Sequence, residues 1–171
     1  MKDIDNEPIY TGIFKNRESA ENAYNALWRR GYERNDVSLM MSEDTRKNHF
    51  FDKETAINRI TAGAGHGSVL GGTLGAIAGI IAAAGTSLIL PGLSLVVAGP
   101  LAAGLAGAGA GGFTGSVIGA LMGIPDVYAK KIESGIKDGY VVISVRPHNQ
   151  EDAHYIEQNW EENSVEEIYK K

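Results

Sequence analysis

The sequence predicts an α+β protein: a ferredoxin-like βαβ-βαβ sandwich with a long Gly/Ala-rich apolar helical hairpin inserted between strands 2 and 3. Three observations lead there. Every Asp, Glu, Lys and Arg lies in residues 1–59 or 126–171, and none lies in 60–125. Each charged flank alternates β-branched runs with a helical periodicity. Inside the uncharged segment, glycine recurs at every fourth position in two separate ladders. The expected organisation is therefore a discontinuous head, 1–59 with 126–171, and a glycine-zipper hydrophobic hairpin, 60–125.

The N-terminal flank reads as strand, helix, strand. PIYTGIF (8–14) is rich in β-branched and aromatic residues, with Ile9, Thr11 and Ile13 on one side of a period of two. Asn16 is a good helix N-cap, and Ala20, Ala23, Tyr24 and Leu27 then share one helical face. Gly31 stands where a helix ends, and VSLMMS (37–42) follows as a second strand. Residues 43–52 are polar and predict a loop, leading into a short helical approach, KETAINRI.

The C-terminal flank opens with DVYAKKIESGIKDG (126–139), a helix carrying Ile132 and Ile136 and ending at Gly139. YVVISVRP (140–147) is the strongest strand pattern in the chain and stops at Pro147. Asn149 can cap a helix bearing Ala153, Ile156 and Trp160, and SVEEIYK (164–170) alternates like an edge strand. Trp28 and Trp160 both fall on helices of the sandwich and are expected in its core.

The uncharged segment divides at its prolines. Residues 63–89 predict one helix, Pro91-Gly92 a turn, and Pro100 the first turn of a second helix over 100–123, with SLILPGLSLVV as the tip. At a rise of ~1.5 Å per residue each helix is ~35–40 Å long, enough to cross a ~30 Å hydrocarbon core. Gly63, Gly67, Gly71, Gly75 and Gly79 form the first ladder; Gly107, Gly111, Gly115, Gly119 and Gly123 form the second. Glycine costs about 1 kcal/mol against alanine inside a helix, so the ladders need a compensating gain. Close approach of two backbones supplies it, through dispersion and Cα–H to carbonyl contacts. These ten glycines are the candidate helix-packing and oligomerisation residues, with Pro91, Gly92 and Pro100 shaping the hairpin.

Composition narrows the function classes. The formal net charge is −5 with no basic cluster, which disfavours nucleic acid as a partner. There is no cysteine, so no disulfide or thiolate metal site. His49, His66, His148 and His154 show no metal-binding spacing, and His66 is the one titratable side chain in the uncharged segment. GAGHGSVLGG lacks the G-x-G-x-x-G spacing, and no G-K-[ST] follows, so nucleotide binding is not expected. The scattered Ser68, Thr73, Thr86, Ser87, Ser94, Thr114 and Ser116 fit helix–helix hydrogen bonding. Glu161, Glu162, Glu166 and Glu167 read as a solvated surface. No enzyme, cofactor, metal or small-molecule substrate is expected. The expected partners are other copies of the chain and membrane lipid.

The polar start MKDIDNEPIY lacks the basic-then-apolar order of a secretory signal, so the head is expected on the cytosolic side. Lys53 and Arg59 before the hairpin, with Lys130, Lys131 and Lys137 after it, agree with that side. A soluble homo-oligomer burying its hairpins in a dry interior is the alternative, and a channel a weaker one for want of a charged ring.

Three stretches resemble a bacterial family of general stress and low-temperature-induced proteins: LPGLSLVVAGPLAAGLAGAGAGG (90–112), GALMGIPDVYAKKIESGIKDGYVVISV (119–145) and YTGIFKNRESAENAYNAL (10–27). The last is similar to the start of the heat-induced stress protein domain. The resemblance implies a stress-related, often membrane-associated protein, and it supplies no catalytic or cofactor residue.

Overall fold

The β-branched runs of both flanks become strands. In the computed structural model, which describes residues 8–50, 77, 81, 87–90, 94–103 and 117–171, they are β1 (Tyr10–Phe14), β2 (Val37–Ser42), β5 (Val141–Val145) and β6 (Val165–Lys170). Two more strands come from the uncharged segment, β3 (Ser87–Leu90) and β4 (Leu95–Ala98). All six join one antiparallel sheet in the order β3-β4-β2-β5-β1-β6.

Helix α1 (Arg17–Arg29) starts where Asn16 accepts a hydrogen bond from the Ser19 amide and buries Ala20, Ala23, Tyr24 and Leu27. Helix α5 (Gln150–Glu162) starts the same way, Asn149 accepting from the Asp152 amide, and buries Ala153, Ile156 and Trp160. Both pack on one face of the sheet, around Phe14, Leu39, Ile143 and Trp160. Helices α3 (Val117–Met122) and α4 (Asp126–Lys137) belong to the opposite face, where Ile132 and Ile136 meet Ile13, Met40 and Val142.

This layout corrects the ferredoxin-like expectation. A two-layer sandwich keeps its helices on one side of the sheet; here the sheet is six strands wide and both faces are covered. The reason lies in the strands. β1 and β5 are buried at every position, and β2 at all but Ser42. Strands buried on both sides read as near-continuous apolar runs and need cover on both sides. Helix α4 and part of the uncharged segment provide the second cover.

The long apolar helical hairpin between strands 2 and 3 is corrected as well. Strands β3 and β4, at 87–90 and 95–98, stand where the end of the helix 63–89 and the tip 87–97 were expected. β4 pairs with β2 from Leu39↔Ala98 to Ser42↔Leu95. The edge of β2 offers backbone N–H and C=O groups that need partners, and the β-branched pair Val96-Val97 suits a strand better than a helix. Residues 43–50 are not a loop either. Ser42 caps a helical turn, α2 (Glu43–Thr45), that runs into a π-helical turn at Arg46–Phe50. Trp28 is half exposed on α1, not in the core, because it lies off the buried stripe of that helix.

Gly12 lets the two layers of the first face meet. A Cβ there would lie 2.7 Å from Trp160 Cε3 and 2.9 Å from Cζ3, and Trp160 also packs edge-to-face on Phe14 at 5.6 Å. Gly12→Ala is expected to destabilise the fold by about 1–3 kcal/mol, the usual cost of overpacking, read as a lower urea midpoint with altered Trp160 emission. A near-neutral result would mean that Trp160 does not press on β1.

Acid sensitivity follows from the α5–β6 junction. Glu157 pairs with Lys170 at 2.5 Å, and that bond, with help from Tyr10 and against the effect of burial, holds the carboxyl below its ordinary value of 4.5. A pKa lower in the folded than in the unfolded state adds stability that is fully present above the unfolded value and lost as pH falls through the folded one. Stability is therefore expected to decline below pH 4.5, and Glu157→Gln to shallow that decline in urea titrations at stepped pH.

Candidate functional site

The uncharged segment is tied to the sheet at both faces. Ile77 and Ile81 are buried in the core beneath α1, and the Ile77 amide donates to Glu21 Oε2 at 3.3 Å. Glu21 is itself buried on α1, with Arg17 Nε 3.9 Å from its Oε1. On the other face, Ala102, Ile118 and Met122 join the α4 core. Pro100 is the first residue of a helical stretch that runs through Ala103.

Two of the ten ladder glycines fall within the described residues, and they serve different ends. Gly119 brings α3 against α4: a Cβ there would lie 3.2 Å from Ala129 Cβ and 3.4 Å from the Ile124 carbonyl. Gly123 adopts φ +59 just after α3 and lets the chain turn toward α4. Gly63, Gly67, Gly71, Gly75, Gly79, Gly107, Gly111 and Gly115, with Pro91, Gly92 and His66, lie outside the described residues.

A cavity of about 940 Å³ opens on the second face, beside the first turn of α4. At its base the register lines up Tyr169, Thr11, Ser144 and Ser38 across four strands. Thr11 and Ser144 share a hydrogen bond of 2.9 Å, and Ser38 accepts from the Leu101 amide at 3.2 Å. Leu101, Met122, Ile124 and Tyr128 supply apolar wall. Lys171 reaches from the end of β6 to donate to the Met122 carbonyl at 3.2 Å. Tyr169 stacks edge-on against Tyr128 at 4.8 Å, and burial, reinforced by the Glu167 carboxylate, raises the pKa of its phenol. The Glu167 carboxylate is the acceptor that faces this buried hydroxyl, and the same contact holds the Glu167 carboxyl below its ordinary range.

Beside the cavity, Asp152 gathers a polar cluster. Its Oδ1 accepts from Arg30 Nε at 2.7 Å and its Oδ2 from the Tyr32 hydroxyl at 3.0 Å. Tyr32 in turn accepts from the His148 amide at 3.0 Å and stacks on the His148 ring at 4.3 Å. His148 Nδ1 stands 3.6 Å from Asp152 Oδ2. Burial, with the Asp152 carboxylate adding to it, raises the Tyr32 pKa. The cluster fastens the turn after α1 to the first turn of α5.

Of the four histidines, His49, His148 and His154 fall within the described residues. His49 and His154 are exposed, and among the described residues no group of three His, Asp or Glu is placed to hold a metal ion. Sequence reading missed Asp152. The local signal is slight, an Asp at the third position after an N-cap and four after a histidine, while Arg30 and Tyr32 lie more than a hundred residues away in sequence. The cavity was equally hidden, since its walls come from separate elements.

If Asp152 fastens these elements as a unit, Tyr32→Phe and Asp152→Asn should each destabilise by about 1–3 kcal/mol, the cost of an unmade buried hydrogen bond. The double variant should lose clearly less than the two single losses together. Additive losses in urea unfolding would mean that the two side chains act independently.

No family model, no curated protein and no solved structure matches this chain.

Proposed function

We propose that this chain is a non-enzymatic protein of the stress-related kind, acting by association with other copies of itself through the uncharged segment 60–125. One observation supports the reading above others: that segment holds no Asp, Glu, Lys or Arg, yet it is attached to a well-formed head at β3, β4, Ile77, Ile81, Ala102, Ile118 and Met122. A head that holds such a segment fixes where it is presented. Contact between copies removes apolar surface from water, and glycine at every fourth position permits backbones to approach closely.

Membrane lipid is the second reading, with the head on the cytosolic side. It draws on the same absence of charge and on Lys130, Lys131 and Lys137, exposed on α4 directly after the segment. Among the described residues no helix is long and apolar enough to cross a membrane, so this reading concerns the segment beyond them or a seat at the lipid surface.

Light scattering on the intact chain in detergent-free buffer is expected to give a mass several times the 18.2 kDa of one chain. Gly71→Leu and Gly115→Leu are expected to lower it while the near-ultraviolet signal of the head persists. A monomer with and without detergent overturns the self-association reading. Retention in the membrane pellet after carbonate extraction, with a monomer in detergent, moves the assignment to lipid.

A further inference from the structure

The second face of the three central strands changes character along its length. Under α4, Ile13, Val142 and Met40 stand side by side in register and are buried in the apolar core. Two residues along each strand, the same face carries Thr11, Ser144 and Ser38. Three hydroxyls in one row, where three aliphatic side chains precede them, form the floor of the cavity of about 940 Å³. A volume of that order is within the range of small-molecule sites.

The hydrogen-bond inventory of this floor says what is missing. A hydroxyl carries one proton to give and lone pairs to receive. Between Thr11 and Ser144 one proton is shared, and Ser38 uses only its acceptor, for the Leu101 amide. Two hydroxyl protons of the row are left without an acceptor among the described residues. Such a floor calls for an acceptor.

Charge narrows the acceptor. Lys171 stands at the cavity with a neutral carbonyl as its hydrogen-bond partner. Of the acidic groups at the cavity, Glu167 pairs with Lys131 at 3.2 Å and Asp36 turns to the Glu33 amide. Lys170 pairs outward with Glu157. Leu101, Met122, Ile124 and Tyr128 are among the cavity's apolar lining. We propose that this cavity binds a monocarboxylate with an apolar body, a medium-chain fatty acid in chemical class. Its carboxylate would accept from the hydroxyl row beside Lys171, and its chain would lie along the apolar wall. The site is independent of the self-association reading.

The test is isothermal titration calorimetry of the intact chain with dodecanoate below its micellar range, with dodecanol as the uncharged control. Saturable binding of one dodecanoate per chain is expected, with a negative heat-capacity change from apolar burial, and dodecanol weaker by about tenfold, the size of one charge-assisted contact. Lys171→Met is expected to weaken dodecanoate about tenfold and leave dodecanol unchanged. Ser144→Ala is expected to weaken both. If Ser144→Ala fails to fold, the exposed Lys171→Met variant still decides the matter. Absence of saturable binding, or dodecanoate binding indifferent to Lys171→Met, overturns the proposal. The second outcome would place the fatty acid on the uncharged segment instead.

Discussion

Burial of the central strands on both faces is the constraint from which the rest of this molecule follows. A half-buried strand alternates apolar and polar residues. β1, β2 and β5 do not, and their side chains face two separate cores. Fully burying one Val, Leu or Ile is worth about 1.5–3 kcal/mol, so leaving either face in water would forfeit several such contributions at once. The helices α1 and α5, joined to neighbouring strands by direct connections, cover one face. The other needs chain from elsewhere, and it gets α4 together with residues of the uncharged segment. Extending the sheet by β3 and β4 then satisfies the backbone at the edge of β2.

The sequence showed the local elements well because their signals are local. Asn16 and Asn149 cap the helices that follow them, and Asn149 does so three residues before Asp152. The strand at 37–42 and the buried stripe Ala153, Ile156, Trp160 are read directly from periodicity. What failed was the inference from elements to layers. VVISV and VSLMM are nearly unbroken apolar runs, and that pattern already argues for two-sided burial, but it was matched to a strand template without asking how many faces it would bury. In the same way SLIL and LVV, expected as the apolar tip of a hairpin, contain the β-branched residues that suit a strand. The sites were less legible still. Asp152, Arg30, Tyr32 and His148 come together only because β2 and β5 are neighbours in the sheet, and no spacing in the chain encodes that.

Glycine in this protein is not one device. Repetition at every fourth position suggests a single packing stripe, yet the two members that can be followed differ. Gly119 lacks a side chain so that α3 can lie on Ala129, whereas Gly123 lacks one so that the backbone can take a left-handed turn. Gly12, outside any ladder, lacks a side chain so that the Trp160 ring can lie against β1. Spacing alone therefore does not tell a packing glycine from a turning one. The neighbour that a Cβ would strike does.

The cavity makes the same point about polar residues. Had the row Thr11, Ser144, Ser38 been apolar, the end of the sheet would have needed more cover than the first turn of α4 supplies through Tyr128. Hydroxyls allow the sheet to end beside open volume, since they can bond to each other, to the Leu101 amide and to water or a ligand. A packing defect would leave apolar side chains facing the gap. Here the change from Ile13, Val142 and Met40 to Thr11, Ser144 and Ser38 occurs in all three strands at the same level. Three independent positions agree on where the core stops, so the boundary belongs to the design of the sheet, and the space beyond it is a site before it is a flaw.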